Sequence, residues 1–260
     1  MGIFEEIARK KEELKDIISE SKRISEVDLL NAQKGTLTGY DCACCQNKGV
    51  IYYEEDDGIY VVPCTCMQIR KALKRIKDAG LEKLVDKCTF ERFSTEKPFQ
   101  KAMVQLAKQY LNNGGIGFFI GGQSGCGKTH ICTAVTGQLI YRGSNAVYMQ
   151  WRDDSVRLKQ LANDPVYEDL IQRYKFCSVL YIDDLFKTQA GKSPTQADIN
   201  LFFEIINQRY IQQERTIISS EWTLEQILDF DEACGSRIAE LCADYIISIS
   251  PDRAKNFRLR

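Results

Sequence analysis

The sequence predicts an α/β protein: a parallel sheet built around a phosphate-binding loop, with flanking helices, preceded by a small helical and zinc-binding module. Three observations carry this. From about Thr89 onward, short apolar runs alternate with amphipathic stretches. One of those runs leads directly into a segment of the form G-x-x-x-x-G-K-[ST]. Ahead of them, five of the eleven cysteines crowd between Cys42 and Cys66, while the rest are scattered singly through apolar segments.

A chain of 260 residues buries one good core and leaves enough over for a small appendage. We divide it into a helical segment (1–40), a zinc-binding module with a basic linker helix (41–88) and an ATPase domain (89–260). The formal charge of −1 excludes a polycation, so any nucleic-acid contact has to come from a local basic patch. No apolar run approaches the length of a membrane span, and the first thirty residues lack the continuous apolar stretch of a leader. With its cysteines distributed as they are, the chain reads as cytoplasmic, reduced and free of any membrane partner.

Gly2 to Leu30 carries Ile3, Phe4, Ile7, Leu14, Ile17 and Ile18 among Glu and Lys, the spacing of one apolar helical stripe. The stripe faces either its own domain or a partner. Next, Val50–Tyr53 and Ile59–Val62 flank the acidic, Gly-containing turn Glu54 to Gly58 and read as a hairpin between two cysteine pairs. Cys42-x-x-Cys45 and Cys64-x-Cys66 supply four thiolates, a set that suits tetrahedral Zn²⁺ and leaves no open position for a catalytic water. Cysteines seldom cluster so for packing alone, and a segment this short has little core of its own, so we expect structural zinc, with Cys44 as a fifth, competing thiol. Met67–Lys87, with Arg70, Lys71, Lys74, Arg75 and Lys77, is expected to be a basic helix serving as a solvated connector.

The runs Ile116–Ile120, Ala146–Met149, Val179–Ile182, Thr216–Ser219 and Tyr245–Ile249 read as strands, the near-continuous apolar kind that a two-sided parallel sheet buries. After the first comes Gly122-Gln123-Ser124-Gly125-Cys126-Gly127-Lys128-Thr129, and then a helical stretch from His130 to Tyr141. Glycines let the backbone wrap a phosphate so that successive N–H groups and the positive helix end face the anion. Lys128 is expected to reach the β- and γ-phosphates of ATP, and Thr129 to offer its hydroxyl to Mg²⁺. The third run ends in Asp183-Asp184. Asp183 is placed to hold the Mg²⁺ shell at the carboxyl end of its strand, and Asp184 to orient and polarise the attacking water. His130 reads as a packed or adenine-side residue, and Cys126 contributes its backbone.

Gly122–Thr129, Asp183-Asp184, Asn207-x-Arg209-Tyr210, Thr216–Ser220 and Gly235-Ser236-Arg237, together with Phe90 and Phe93 before them, resemble the AAA+ ATPases of the DnaC/DnaI helicase-loader and IstB group. The resemblance runs from about Phe90 to the C-terminus, and the cysteine-rich front looks like the zinc-bearing N-terminal domain of DnaI-type loaders and their phage relatives. It implies a γ-phosphate sensor at the end of the Thr216–Ser220 strand. The family often has Asn where Glu221 stands, which leaves Glu221 or Ser220 for the part. Arg237 would be an arginine finger offered to a neighbouring subunit. The implied function is loading of a hexameric replicative helicase. The zinc module would grip the helicase, and the self-associating ATPase domain would bind ATP or ADP and single-stranded DNA. The alternatives are an IstB-like transposition helper acting on duplex DNA with a transposase, and a nucleotide-gated adaptor with little turnover. Trp151, Arg152, Arg157 and Lys159, with Lys187 and Lys192, are the aromatic and basic residues suited to single strands.

Overall fold

The computed structural model describes residues 25–188 and 192–257, so most of the amphipathic N-terminal stretch lies outside the described residues. The chain divides at Arg70/Lys71 into two units.

The first unit begins with α1 (Glu26–Ala32), capped by Ser25, whose hydroxyl accepts from the Asp28 N–H. The hairpin expected from the sequence is present as β1 (Val50–Glu55) and β2 (Gly58–Pro63), antiparallel with Tyr53 opposite Tyr60. The Asn31 amide docks on this hairpin as a further strand residue would, donating to the Tyr52 carbonyl at 2.8 Å and accepting from its N–H at 3.0 Å. Among the described residues of this unit, the only tight cluster of buried side chains is Cys45, Cys64 and Cys66, with Cys42, Ile51 and Met67 against it. The two strands and one short helix among its described residues bury too little by themselves to hold this hairpin folded.

α2 (Cys66–Asp78) straddles the division between units, and α3 (Glu82–Val85) follows it. The expected solvated connector takes a larger part than that. Ala79 and Leu81 are buried in the core of the second unit, with Ile76, Leu84 and Val85 packed on it.

Five parallel strands make the main sheet: β3 (Gly117–Gly122), β4 (Ala146–Gln150), β5 (Val179–Leu185), β6 (Arg215–Ser220) and β7 (Ile246–Ile249), in the order β4-β5-β6-β3-β7. All five expected strands are present to within a few residues. Because side chains alternate across a strand, the apolar runs supply two cores. Phe118, Ile120, Val179, Tyr181 and Ile217 meet α4 (Pro98–Asn113) and α5 (Lys128–Tyr141). Phe119, Leu180, Ile182 and Ile218 meet α6 (Trp151–Gln160), α7 (Val166–Phe176), α8 (Gln196–Gln212), α9 (Leu224–Phe230) and α10 (Glu232–Cys242). Arg209 on α8 is fully buried. Its guanidinium donates to the Thr216 hydroxyl and to the carbonyls of Tyr174, Lys175, Cys177 and Arg215. No helix among the described residues is long and apolar enough to cross a membrane.

Candidate nucleotide site and metal centre

β3 delivers the chain into the glycine-rich loop at the carboxyl edge of the sheet, where ligands collect in open α/β folds. Two positions there require glycine. Gly125 has φ +78°, and a Cβ on it would lie 2.0 Å from the Asn256 side-chain oxygen. Gly127 has φ +99° and caps α5, and its Cβ would meet the Phe93 ring at 2.5 Å. Lys128 is 5% exposed, and its ammonium donates to the carbonyls of Gly122 and Gln123 at 2.8 Å each, so it lies against the loop it serves. Burial lowers its pKa from the usual lysine range. The loop is braced from outside. The Gln123 amide donates to the Asp252 carbonyl and accepts from its N–H, and the Phe257 N–H donates to the Gly125 carbonyl.

The acidic strand end is where the sequence placed it. The Thr129 hydroxyl donates to Asp183 at 3.0 Å, which joins the two sequence-predicted Mg²⁺-holding residues across 54 positions. Three side chains that sequence reasoning missed complete the setting of Asp183. Tyr181 and Ser219 donate to the same oxygen as Thr129, and Tyr148 donates to the other at 3.1 Å. Hydroxyls carry no motif of their own; only the strand register, which sets Gln150 beside Asp183 and Ile182 beside Ile218, brings them together. A hard dication is held by carboxylate and hydroxyl oxygens, so Thr129 and Asp183 fit Mg²⁺.

A cleft of about 240 Å³ opens on this edge, lined by Cys88, Gly125, Gly127, Lys128, Thr129, His130, Asp184 and Glu221, with Ser124. His130, on the cleft wall, packs edge-on to Phe93, its Nε2 2.7 Å from the Thr89 carbonyl. Asp184 and Glu221 both face the cleft. Ser220 does not: its buried hydroxyl donates to the Leu185 carbonyl and accepts from the Trp222 N–H, so of the two sensor candidates only Glu221 reaches the site. Arg237 lies on α10 and is not among the residues lining the cleft. It donates to the Asn207 amide oxygen at 3.0 Å and stacks 4.7 Å over the Tyr210 ring. Of the expected DNA-facing residues, Trp151 is corrected. It is 1% exposed and packed edge-on against Phe186 and Phe202, a core residue with no face for a base.

In the front unit the sulfurs of Cys42, Cys45, Cys64 and Cys66 all lie within 4.8 Å of one another. The Cys42–Cys64 and Cys45–Cys66 separations are 3.7 and 3.5 Å, against about 3.8 Å for the edge of a tetrahedron with Zn–S bonds of about 2.3 Å. The Gly49 N–H donates to the Cys45 sulfur. This bond and the neighbouring thiols outweigh burial and pull the Cys45 thiol down, while burial pushes the Cys66 thiol beside it up, so the fit to a metal rests on the sulfur geometry. The four cysteines therefore fit Zn²⁺. Cys44 is exposed and outside the cluster. Arg70 ties the loops around the cluster, donating to the carbonyls of Thr38 and Tyr40 and to the Asn47 side chain.

Comparison with known proteins gives the chain a family and fold relatives. The family described as IstB-like ATP binding protein matches residues 67–234, which include the loop and the acidic strand end and stop short of Arg237. The phage-like element PBSX protein XkdC of Bacillus subtilis is 31% identical over 81% of this chain and 82% of its own length. Uncharacterized protein YqaM of the same organism is 28% identical over 85% and 86%. Among solved structures, the DnaC helicase loader superposes with a TM-score of 0.54 over 65% of this chain and 99% of that one, at 18% identity, which is a likeness of fold.

Proposed function

This chain belongs to the family of IstB-like ATP-binding proteins, with an AAA+ fold of the DnaC kind, and from that premise we propose that it is a cytoplasmic ATPase that loads a replicative DNA helicase. The observation that carries the ATPase part is one constellation: the Lys128 loop, the Thr129–Asp183 hydrogen bond and Asp184 on the wall of a single cleft. Bound Mg²⁺ would neutralise charge on the phosphates and polarise the one transferred. This chain's own residues do the rest. The loop N–H groups and Lys128 bind the phosphate chain, Thr129 and Asp183 orient the ion, and Asp184 takes up the proton of the attacking water. The zinc module and the N-terminal stripe grip the hexameric helicase. The ATPase domain binds single-stranded DNA, with Arg152, Arg157, Lys159 and Lys192 as the basic contacts, and associates with further copies of itself.

The test separates binding from turnover. Lys128→Ala is expected to abolish ATP binding, and Asp184→Asn to keep binding while phosphate release falls by about 10²-fold or more. Unchanged nucleotide affinity in the Lys128 variant refutes the site. A second reading, an ATP-gated adaptor with little turnover, is favoured by one observation: the Asp184 carboxylate is engaged by Lys187 at 2.7 Å. A phosphate-release assay in the presence of helicase and single strands distinguishes the two.

A further inference from the structure

At the end of β5 the backbone does something costly. Asp184 and Phe186, neither of them glycine, both have left-handed φ angles of +57° and +59°, a region that L side chains rarely adopt and that concentrates at functional sites. Phe186 is locked there by edge-on contacts with Trp151, Phe202 and Phe230. The Asp184 N–H is held by the Ser219 hydroxyl, and the Lys187 N–H closes the turn onto the Asp184 carbonyl at 3.0 Å. The Lys187 side chain itself lines a neighbouring pocket with Arg152, Lys159 and Asp198, and only its ammonium reaches the acids on the cleft wall. Its ammonium lies 2.7 Å from Asp184 Oδ2 and 3.1 Å from Glu221 Oε1, bridging two acids delivered by neighbouring strands.

The charges explain why such a bridge is needed. Asp183, Asp184 and Glu221 bring three carboxylates to this edge, against the ammonium groups of Lys128 and Lys187. A nucleoside triphosphate adds more negative charge than a diphosphate. An ionised carboxylate has no proton to donate to a phosphate oxygen and repels it, so Glu221 cannot by itself greet a terminal phosphate. Lys187 can. Partial burial works against its ammonium, but the two carboxylates more than offset this and hold it firmly protonated.

We propose that Lys187 belongs to the nucleotide site: held at the cleft by Asp184 and Glu221, its ammonium is the group that answers the terminal phosphate of a nucleoside triphosphate. The proposal rests on the reading of this cleft as an ATP site. Its consequence is regulatory. With a diphosphate bound, Lys187 stays on Asp184 and occupies that carboxylate. With a triphosphate bound, the ammonium is shared with the phosphate, and the Asp184 carboxylate is released to the attacking water. No bond forms or breaks in this exchange; one ion pair loosens as another is made.

The experiment is titration calorimetry of the full chain with Mg²⁺ and either ADP or a non-hydrolysable ATP analogue. Lys187→Met is expected to weaken analogue binding by about tenfold or more, the loss of one charge-assisted hydrogen bond, while ADP affinity stays within about threefold. Lys187→Arg should keep the preference, and adding Glu221→Gln to Lys187→Met should restore part of it, because the repelling carboxylate is gone. A purely structural lysine would shift both nucleotides together, and equal loss for both, or no loss for either, overturns the proposal. Should circular dichroism show Lys187→Met to be unfolded, Glu221→Gln alone carries the test. Asp184 still holds the ammonium, so the ratio of analogue to ADP affinity is expected to rise, and an unchanged ratio overturns the idea. Lys128→Ala separates this from failure of the site itself. If that variant binds both nucleotides as the parent does, the ATP-site reading falls; if it loses both while Lys187→Met discriminates neither, only the role of Lys187 falls.

Discussion

Asp183 is fixed from both sides, three hydroxyls on one carboxylate oxygen and the Tyr148 hydroxyl on the other. Such partners hold a ligand in the one orientation that a cation needs, and their loss typically costs about 10–100-fold in metal affinity. Ser219→Ala is therefore expected to raise the Mg²⁺ concentration needed for nucleotide binding by about tenfold, with affinity in saturating Mg²⁺ unchanged. Calorimetry across a Mg²⁺ series reads this, and an unshifted series would mean that Ser219 only packs. At this scale the sequence could nominate Lys128, Thr129, Asp183 and Asp184, because each sits in a spacing that the proposed chemistry demands. It was silent on Ser219, Tyr148 and Tyr181, and it read Lys187 as a DNA contact rather than as the partner of Asp184 and Glu221, because these placements depend on strand register and on a left-handed turn. No local pattern encodes either of these. Trp151 misled for the same reason: an aromatic beside Arg152 reads as a stacking platform until the helix that carries it is seen to turn that ring into the core.

Two parts of the molecule depend on more than apolar burial. The front hairpin leaves Ile59, Tyr60, Val61 and Val62 exposed and gathers its buried side chains around four sulfurs, so its folding free energy is expected to be largely metal-binding free energy. One zinc per chain, loss of the hairpin's folded signals in Cys45→Ser or Cys64→Ser, and intact nucleotide binding in both variants are the expected results. Protein purified without chelator that returns no zinc on elemental analysis would contradict them. In the main sheet, Arg209 joins α7, α8 and β6 through four backbone carbonyls and one hydroxyl, with no carboxylate among those partners. Truncation leaves those acceptors dry and opens a cavity, so Arg209→Ala is expected to cost about 3–5 kcal/mol, measured as a fall in urea midpoint at constant slope. The sheet itself was legible because apolar runs of this length bounded by helical stretches have few other solutions. The burial of Ala79 and Leu81 was not, since they follow a run of lysines and arginines that looks solvated.

At the scale of the whole molecule the proposed task needs more than one copy, and Arg237 is where that requirement can be tested. Its guanidinium is engaged by Asn207 and Tyr210, with Glu240 3.9 Å away, and it is not among the residues that line its own chain's cleft. A cation that stabilises a phosphoryl transition state has to lie against the transferred group. If Arg237 acts in hydrolysis at all, it therefore acts on the nucleotide of a neighbour, after exchanging its intramolecular partners for that phosphate. Arg237→Ala protein keeps a complete cleft and lacks the finger, whereas Lys128→Ala protein keeps the finger and cannot bind ATP. Each alone is expected to be inactive. Mixed, they form interfaces in which the second offers Arg237 to the nucleotide held by the first, so phosphate release should reappear at a fraction of the parent rate and rise with total protein concentration. Helicase and single-stranded DNA should strengthen the effect, since anything that binds the assembled form preferentially shifts association toward it. Arg237→Ala protein that hydrolyses ATP at the full rate, or a mixture that stays as inactive as its components while both still co-purify with helicase, would remove Arg237 from the mechanism and leave it as the partner of Asn207 and Tyr210.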